Sequence, residues 1–226
     1  MKNKLIVALD VDNLRKATRL VDMLYPAVKI FKIGSQLFTR VGPEAVKMVQ
    51  KRCAKVFLDL KFHDIPNTVY QAVRQACSMG VFMTNVHATG GKAMMQHAAR
   101  AKTKASMIIA VTVLTSIDKK ALSLIGINRS PLLQAERLAM LAKTSGLDGV
   151  VCSGNEIKAI RRGCGTKFTI VTPGIRTVAS NTQDQKRIMT PKLAISHGAD
   201  YIVVGRPITK AKNPICAAND ILRDTL

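Results

Sequence analysis

Charged side chains of alternating sign stand where the apolar segments of the amino-terminal half end. Asp10 follows the first apolar segment, Lys32 lies in the second, and Asp59 and Lys61 lie at the end of the third. Residues two apart on a strand point to the same face, so Asp59 and Lys61 can meet. A single Asp-x-Lys is also consistent with a structural ion pair. Because Asp10 and Lys32 end two other segments, we predict a site whose alternating charges keep Lys61 an ammonium and the Asp side chains ionised.

A second group of residues, near the carboxyl end, is suited to binding an anion. Residues 173–176 read Pro-Gly-Ile-Arg after the seventh apolar segment, and residues 205–207 read Gly-Arg-Pro after the eighth. A glycine amide donates a backbone hydrogen bond, and an arginine guanidinium can bind a phosphate through two parallel bonds. A lone Gly-Arg can be a surface turn, but the loops after strands 7 and 8 form the recurring phosphate site of (β/α)8 barrels. We therefore predict a phosphate site here.

The elements that must position these residues follow a regular alternation. Eight short, nearly continuous apolar segments predict strands buried on both faces, at residues 5–9, 28–33, 56–60, 82–86, 107–113, 149–152, 168–171 and 201–204. Amphipathic segments predict helices at residues 14–25, 43–52, 68–78, 92–101, 132–145, 155–162, 192–196 and 218–222. Strand then helix, eight times, predicts an α/β fold, a single (β/α)8 TIM barrel forming one domain over residues 1–226. A doubly wound sheet is the alternative, but no strand is followed by its Gly-x-Gly-x-x-Gly fingerprint.

Local signals predict where some helices begin and where the connections are unusual. Asn13 and Asn155 are predicted helix N-caps, because an Asn side chain accepts hydrogen bonds from the first helical amides. Two connections exceed the usual length for this fold. Residues 115–131 are predicted to hold an extra helical turn, and the polar residues 173–190 are predicted to close over the site as a lid.

Composition and charge disfavour several other classes of protein. The chain holds 35 Lys and Arg against 14 Asp and Glu, a net charge of +21 that indicates an anionic partner. The basic residues form no long run and aromatic residues are few, which disfavours nucleic-acid binding but keeps it as an alternative. No apolar run reaches the ~18 residues of a membrane span, so no membrane association is predicted. Five scattered cysteines without Cys-x-x-Cys spacing argue against disulfides and zinc, and predict a cytoplasmic location.

Taken together, these motifs resemble the bacterial type of the orotidine 5′-phosphate decarboxylase family over essentially the whole chain. The resemblance rests on Asp10, Lys32, Asp59-x-Lys61-x-x-Asp64-Ile65-Pro66-Asn67-Thr68, Pro173-Gly174-Ile175-Arg176 and Gly205-Arg206-Pro207. It implies conversion of orotidine 5′-monophosphate to uridine 5′-monophosphate and CO2 in pyrimidine nucleotide synthesis. It also implies that the reaction needs no cofactor and no metal, and that the active sites lie at the subunit interface of a homodimer.

The same resemblance implies roles for individual residues. Lys61 would donate a proton to the carbon that loses CO2, and Asp59 would lie beside the departing group. Lys32 and Asp10 would hold the ribose hydroxyls, and Asp64 would reach into the partner's site; Lys32 and Asp64 are counted with the catalytic residues as well. The other substrate-binding residues that it implies are Ile65, Thr68 (also across the interface), Thr115 at the pyrimidine, and Pro173, Arg176, Gln185, Gly205 and Arg206 at the phosphate and lid.

A metal-dependent relative is the nearest alternative. Some barrels share the Asp-x-Lys-x-x-Asp element and act on sugar phosphates through a magnesium-bound enediolate, with a Glu at the end of the second strand to hold the metal. In this chain that position is Lys32. Because an ammonium repels Mg²⁺, we predict that no metal binds here.

Overall fold

Eight parallel strands close into a barrel in the computed structural model, which describes residues 3–176 and 189–225. The strands are β1 (Leu5–Ala8), β2 (Ile30–Gly34), β3 (Lys55–Phe62), β4 (Met83–His87), β5 (Met107–Val111), β6 (Gly149–Val151), β7 (Thr169–Thr172) and β8 (Tyr201–Val204). Each strand pairs with the next in the chain, and β8 pairs with β1. The (β/α)8 barrel predicted from the alternating segments is therefore confirmed.

Helices connect the strands. In the described residues they are α1 (Leu14–Leu24), α2 (Ser35–Val41), α3 (Glu44–Gln50), α4 (Pro66–Ser78), α5 (Gly91–Arg100), α6 (Lys119–Leu124), α7 (Pro131–Thr144), α8 (Ile157–Cys164), α9 (Pro191–Ser196), α10 (Arg206–Thr209) and α11 (Pro214–Asp224). The extra turn predicted within residues 115–131 is α6. Two short helices, α2 and α10, were not predicted: α2 follows β2 without an intervening loop, and α10 spans only four residues, about one turn. No helix in the described ranges is long and apolar enough to cross a membrane.

Side chains cap the first turns of α1, α6, α7, α9 and α11, and the structure corrects one capping prediction. The Asn13 side chain accepts a hydrogen bond of 2.9 Å from the Lys16 amide and caps α1 as predicted. Asn155 does not cap a helix. Instead Ser153 and Glu156 form a reciprocal capping box around a 3₁₀ turn, Gly154–Glu156, that leads directly into α8. Glu156 stands three residues after Ser153, the spacing that this motif requires, so the turn begins before Asn155.

The core has two layers, because successive strand residues point to opposite faces of the sheet. Ile6 and Ala8 of β1 belong to the cluster inside the barrel, together with Ile30 and Phe57. Leu5 and Val7 belong instead to the large cluster between the sheet and the helices. Both faces of the strands are therefore buried, which is why the strands read as continuous apolar runs and not as alternating ones.

Candidate active site

Alternate residues of each strand point into the barrel. Most of these side chains are apolar, but those near the carboxyl ends of β2 and β3 are charged. Lys32 follows Ile30 by two residues on β2, and Asp59 follows Phe57 by two on β3, so both side chains continue the interior rows. Lys32 and Asp59 are only 9% and 8% exposed. Two buried charges of opposite sign at the carboxyl ends of neighbouring strands form the centre of the site.

Four side chains form a continuous chain of ion pairs. The Lys32 Nζ lies 3.1 Å from an Asp10 carboxylate oxygen and 3.2 Å from Asp59 Oδ2. The other oxygen of Asp59, Oδ1, lies 2.7 Å from the Lys61 Nζ. The structure thus brings together Asp10, Lys32, Asp59 and Lys61 in the alternating order that the sequence predicts.

The surroundings of Asp59 keep it ionised. Burial by itself would raise the pKa of its carboxyl, but Lys32 and Lys61, together with hydrogen bonds from Lys61 and Asn85, outweigh burial and leave the pKa below its ordinary value. The carboxylate is therefore a fixed negative charge at neutral pH. It holds two ammonium groups, one on each oxygen.

The sequence predicts that Asp59 and Lys61 meet because they lie two residues apart on a regular strand. In the structure they do meet, but the strand is irregular at this point. Leu58 pairs with Thr84 of β4 and Phe62 pairs with Val86, so four steps along β3 match two along β4. Lys61 lies within this bulge and has a φ of +52°, in the left-handed region that non-glycine residues rarely adopt. The third strand also runs to Phe62, beyond the predicted end at residue 60.

A glycine makes room for the ion pairs at the end of β2. A Cβ atom added to Gly34 would lie 3.0 Å from the Lys32 Nζ and 3.3 Å from Asp10 Oδ1. With any larger residue at this position, the Lys32 ammonium and the Asp10 carboxylate would have to shift by a few tenths of an ångström. Sequence reasoning did not select Gly34, because its role depends on a close approach that only the folded chain reveals.

The ion-pair chain opens into a cavity of about 380 Å³ at the carboxyl ends of the strands. Its apolar wall includes side chains from β5 to β8 and the loops that follow them, among them Val111, Val113, Leu114, Val151, Ile175 and Val203. Thr115 lines the same cavity. Cys152 also lines it, but burial raises the pKa of the thiol, so Cys152 is a neutral wall residue at physiological pH.

Two arginines reach the cavity from the loops after β7 and β8. Residues 173–176 and 205–207 all line it, including Arg176 and Arg206. Gly174 has a φ of +77°, so the turn before Arg176 takes a conformation that favours glycine. One cavity is therefore lined by the Lys and Asp array at the ends of β1 to β3 and by two arginines on the β7 and β8 side.

Several predicted site residues do not line this cavity. Asp64, Ile65 and Thr68 are exposed around the start of α4, and Ile65 is 67% exposed. Asp64 accepts a hydrogen bond of 2.6 Å from the Ile65 amide. Gln185, and residues 177–188 of the predicted lid, lie outside the described residues.

The fold and this cavity define a (β/α)8-barrel enzyme with its active site at the carboxyl ends of the strands. Residues 3–221 match the model of the orotidine 5′-phosphate decarboxylase / HUMPS family, and the chain belongs to this family. Similar curated proteins are the orotidine 5′-phosphate decarboxylases of Moorella thermoacetica, 53% identical over 97% of this chain and 91% of that one, and of Legionella pneumophila strain Paris, 52% identical over 99% and 100%.

Solved structures resemble the whole barrel. The crystal structure of orotidine 5′-phosphate decarboxylase from Lactobacillus acidophilus superposes with a TM-score of 0.88 at 36% identity, covering 99% of each chain. An uncharacterized conserved protein from Geobacillus kaustophilus superposes with a TM-score of 0.86, also at 36% identity, over 98% of this chain and all of that one.

Proposed function

We propose that this protein is a carboxy-lyase that converts orotidine 5′-monophosphate to uridine 5′-monophosphate and CO2 in pyrimidine nucleotide synthesis. The observation that carries the proposal is the buried chain of ion pairs ending in Lys61, which shares one cavity with Arg176 and Arg206. Membership of the family and the full-length similarity to decarboxylases support the same conclusion.

Lys61 is suited to the difficult step of this reaction. When the bond between the ring carbon and the carboxylate breaks, the electron pair stays on a carbon that has no adjacent electron sink. A fixed ammonium near that carbon stabilises the developing charge more than water does, because its orientation needs no rearrangement. CO2 is released as this bond breaks, and the Lys61 ammonium then transfers a proton to the carbon and becomes a neutral amine, which takes up a proton from solvent before the next turnover.

Asp59, Lys32 and Asp10 complete the polar side of the site. Asp59 holds the Lys61 ammonium at 2.7 Å and lies beside the departing carboxylate in this proposal. Lys32 and Asp10 bind the ribose hydroxyls. The Asp10 carboxylate is suited to this because its side chain is 55% exposed toward solvent while still paired with Lys32.

The opposite side of the cavity binds the phosphate. Arg176 and Arg206 supply positive charge, Gly205 supplies a backbone amide, and Pro173 shapes the turn, while Thr115 contacts the pyrimidine. Gln185 belongs to the same set by family resemblance. Binding energy gained at the phosphate can be used to hold the reacting carbon against Lys61, so it lowers the barrier as well as the dissociation constant.

The position of Lys32 supports a reaction without a metal. Its ammonium lies between the carboxylates of Asp10 and Asp59, 3.1 and 3.2 Å from them. A divalent cation prefers several carboxylate or carbonyl oxygens at this kind of position, and the ammonium repels it. The sugar-phosphate reaction through a magnesium-bound enediolate is disfavoured for this reason.

We also propose a homodimer with shared active sites. Asp64, Ile65 and Thr68 project from the start of α4 without reaching this chain's own cavity, and an exposed isoleucine next to an exposed carboxylate suits a subunit interface. In the dimer these residues enter the partner's cavity. The five cysteines are free thiols, which supports the proposed cytoplasmic location.

A spectrophotometric assay tests the proposed function. Orotidine 5′-monophosphate is added to protein treated with EDTA, and the loss of its absorbance is followed together with the release of CO2. We expect turnover that is unchanged by EDTA. No turnover with or without Mg²⁺ would refute the proposal, and turnover that strictly requires Mg²⁺ would refute the metal-free reaction.

A further inference from the structure

The Asn85 side chain forms hydrogen bonds with both Asp59 and Lys61. Asn85 lies in the middle of β4 and its side chain is fully buried. Its Nδ2 donates a hydrogen bond of 2.7 Å to Asp59 Oδ1, the same oxygen that pairs with the Lys61 Nζ. Its Oδ1 accepts a hydrogen bond of 2.8 Å from the backbone amide of Lys61.

The orientation of the Asn85 amide follows from its two partners. A backbone N–H can only donate, so the atom that faces Lys61 must be the carbonyl oxygen. An ionised carboxylate can only accept, so the atom that faces Asp59 must be the NH2 group. Both bonds are satisfied by a single orientation, and a flipped amide would lose both.

The bond from Asn85 to the Lys61 backbone lies where the sheet is irregular. Between Leu58 and Phe62 the register of β3 against β4 shifts, and Lys61 has a φ of +52°. A non-glycine residue keeps such a conformation only when its surroundings hold it there. The Asn85 carbonyl meets the Lys61 amide inside this bulge and so holds the backbone from which the ammonium side chain extends.

We infer that Asn85 is a positioning residue for the reaction. It keeps Asp59 in one orientation and fixes the backbone of Lys61, and thereby directs the ammonium at the reacting carbon. Asn85 is absent from the cavity lining, so it acts through Asp59 and Lys61. This inference rests on the proposed function, because it assigns Asn85 to the step that Lys61 performs.

The neighbouring residue provides a matched control. Thr84 is also fully buried on β4, and its Oγ1 donates a hydrogen bond of 2.9 Å to the Leu58 carbonyl of β3. Thr84→Val removes a bond between the same two strands and nearly keeps the volume, but it leaves Asp59 and Lys61 untouched. Loss of stability alone therefore affects both positions, whereas loss of positioning affects only Asn85.

Two variants of Asn85 separate hydrogen bonding from packing. Asn85→Ala removes both bonds and leaves a space, while Asn85→Leu removes both bonds and fills that space. We expect each to lower kcat on the order of tenfold to a hundredfold, with KM within about threefold, because a small displacement of a reacting group affects the chemical step while substrate contacts remain. Thr84→Val keeps kcat within about twofold. A packing role predicts instead that Asn85→Leu restores kcat, and that result would overturn the inference.

Hydrogen exchange gives a second readout that does not depend on turnover. In Asn85→Leu the Lys61 amide loses its acceptor, so we expect its deuterium exchange to be faster by about tenfold or more, with no such change in Thr84→Val. Unchanged exchange in Asn85→Leu would overturn the inference. If the parent protein has no decarboxylase activity, the proposed function is refuted. If the parent protein is active and Asn85→Leu shows faster exchange at Lys61 but an unaltered kcat, only the role of Asn85 is refuted.

Discussion

Replacing Lys61 with alanine tests the proton-donor role most directly. The substitution removes the ammonium that lies 2.7 Å from Asp59 and leaves that carboxylate bonded to Lys32 and Asn85. The Lys61 side chain is 37% exposed, so its loss leaves no large cavity in the core and the fold should persist. A positioned general acid contributes ~10² to 10⁴ in rate. We therefore expect kcat to fall by a factor within this range or by more, which corresponds to an increase of about 3 to 5 kcal/mol or more in the activation barrier.

The assay pairs this variant with a control on the same strand. Lys55 is an exposed lysine at the first position of β3, where its Nζ lies over the Phe82 ring. Lys55→Ala removes the same charge at the other end of the strand, so we expect kcat to stay within about twofold. Binding of uridine 5′-monophosphate to Lys61→Ala, measured by calorimetry, should remain, because the two arginines are intact. A Lys61→Ala protein that keeps more than a tenth of the parental kcat would refute the role.

Other substitutions test the remaining parts of the site. Arg206→Ala should weaken binding of uridine 5′-monophosphate by about 10- to 100-fold and barely affect uridine, as measured by calorimetry; equal losses would contradict the phosphate assignment. Mixing inactive Lys61→Ala and Asp64→Ala subunits should restore about a quarter of the parental activity if sites are shared, and no recovery in a verified heterodimer would argue against sharing. The pKa of Asp59 is lower in the folded protein than in the unfolded chain. Ionisation of Asp59 therefore stabilises the fold at a pH above the pKa of the unfolded chain, and this stabilisation is lost as the pH falls through the pKa of the folded protein. Lys32→Met removes a positive charge beside Asp59 and so raises that pKa. The melting temperature of the variant should therefore be lowered most, relative to the parent protein, near neutral pH, and the difference should become smaller below about pH 4. A difference in melting temperature that does not depend on pH would refute this linkage.

Local sequence patterns were sufficient to predict the barrel. The strands contain mostly apolar residues that are buried on both faces of the sheet, and this near-continuous apolar pattern predicts them even where polar residues such as Thr84 and Asn85 of β4 interrupt it. The capping of α1 by Asn13 could also be predicted, because capping involves residues only three apart. Asn155 was assigned wrongly, since both Asn155 and Ser153 suit an N-cap and only the reciprocal bond from Glu156 decides between them.

The grouping of charged residues at the site could also be largely predicted from the sequence. Asp10, Lys32, Asp59 and Lys61 were selected because charges at successive strand ends must converge in a barrel. The loops holding Arg176 and Arg206 were selected from their position after the last two strands, and the structure places both at the same cavity. Convergence of this kind follows from topology, which the order of the elements already specifies.

Only the tertiary structure decided how the charges meet. The register shift between β3 and β4, the positive φ of Lys61 and the two hydrogen bonds of Asn85 depend on contacts between residues 24 and 26 positions apart in the chain. Gly34 likewise matters because of the Lys32 and Asp10 atoms that come close to it in space. Helices and strands follow from short-range patterns in the sequence. The position of a reacting side chain must be correct to within about an ångström, and it depends on how neighbouring strands pack, which is determined only in the folded chain.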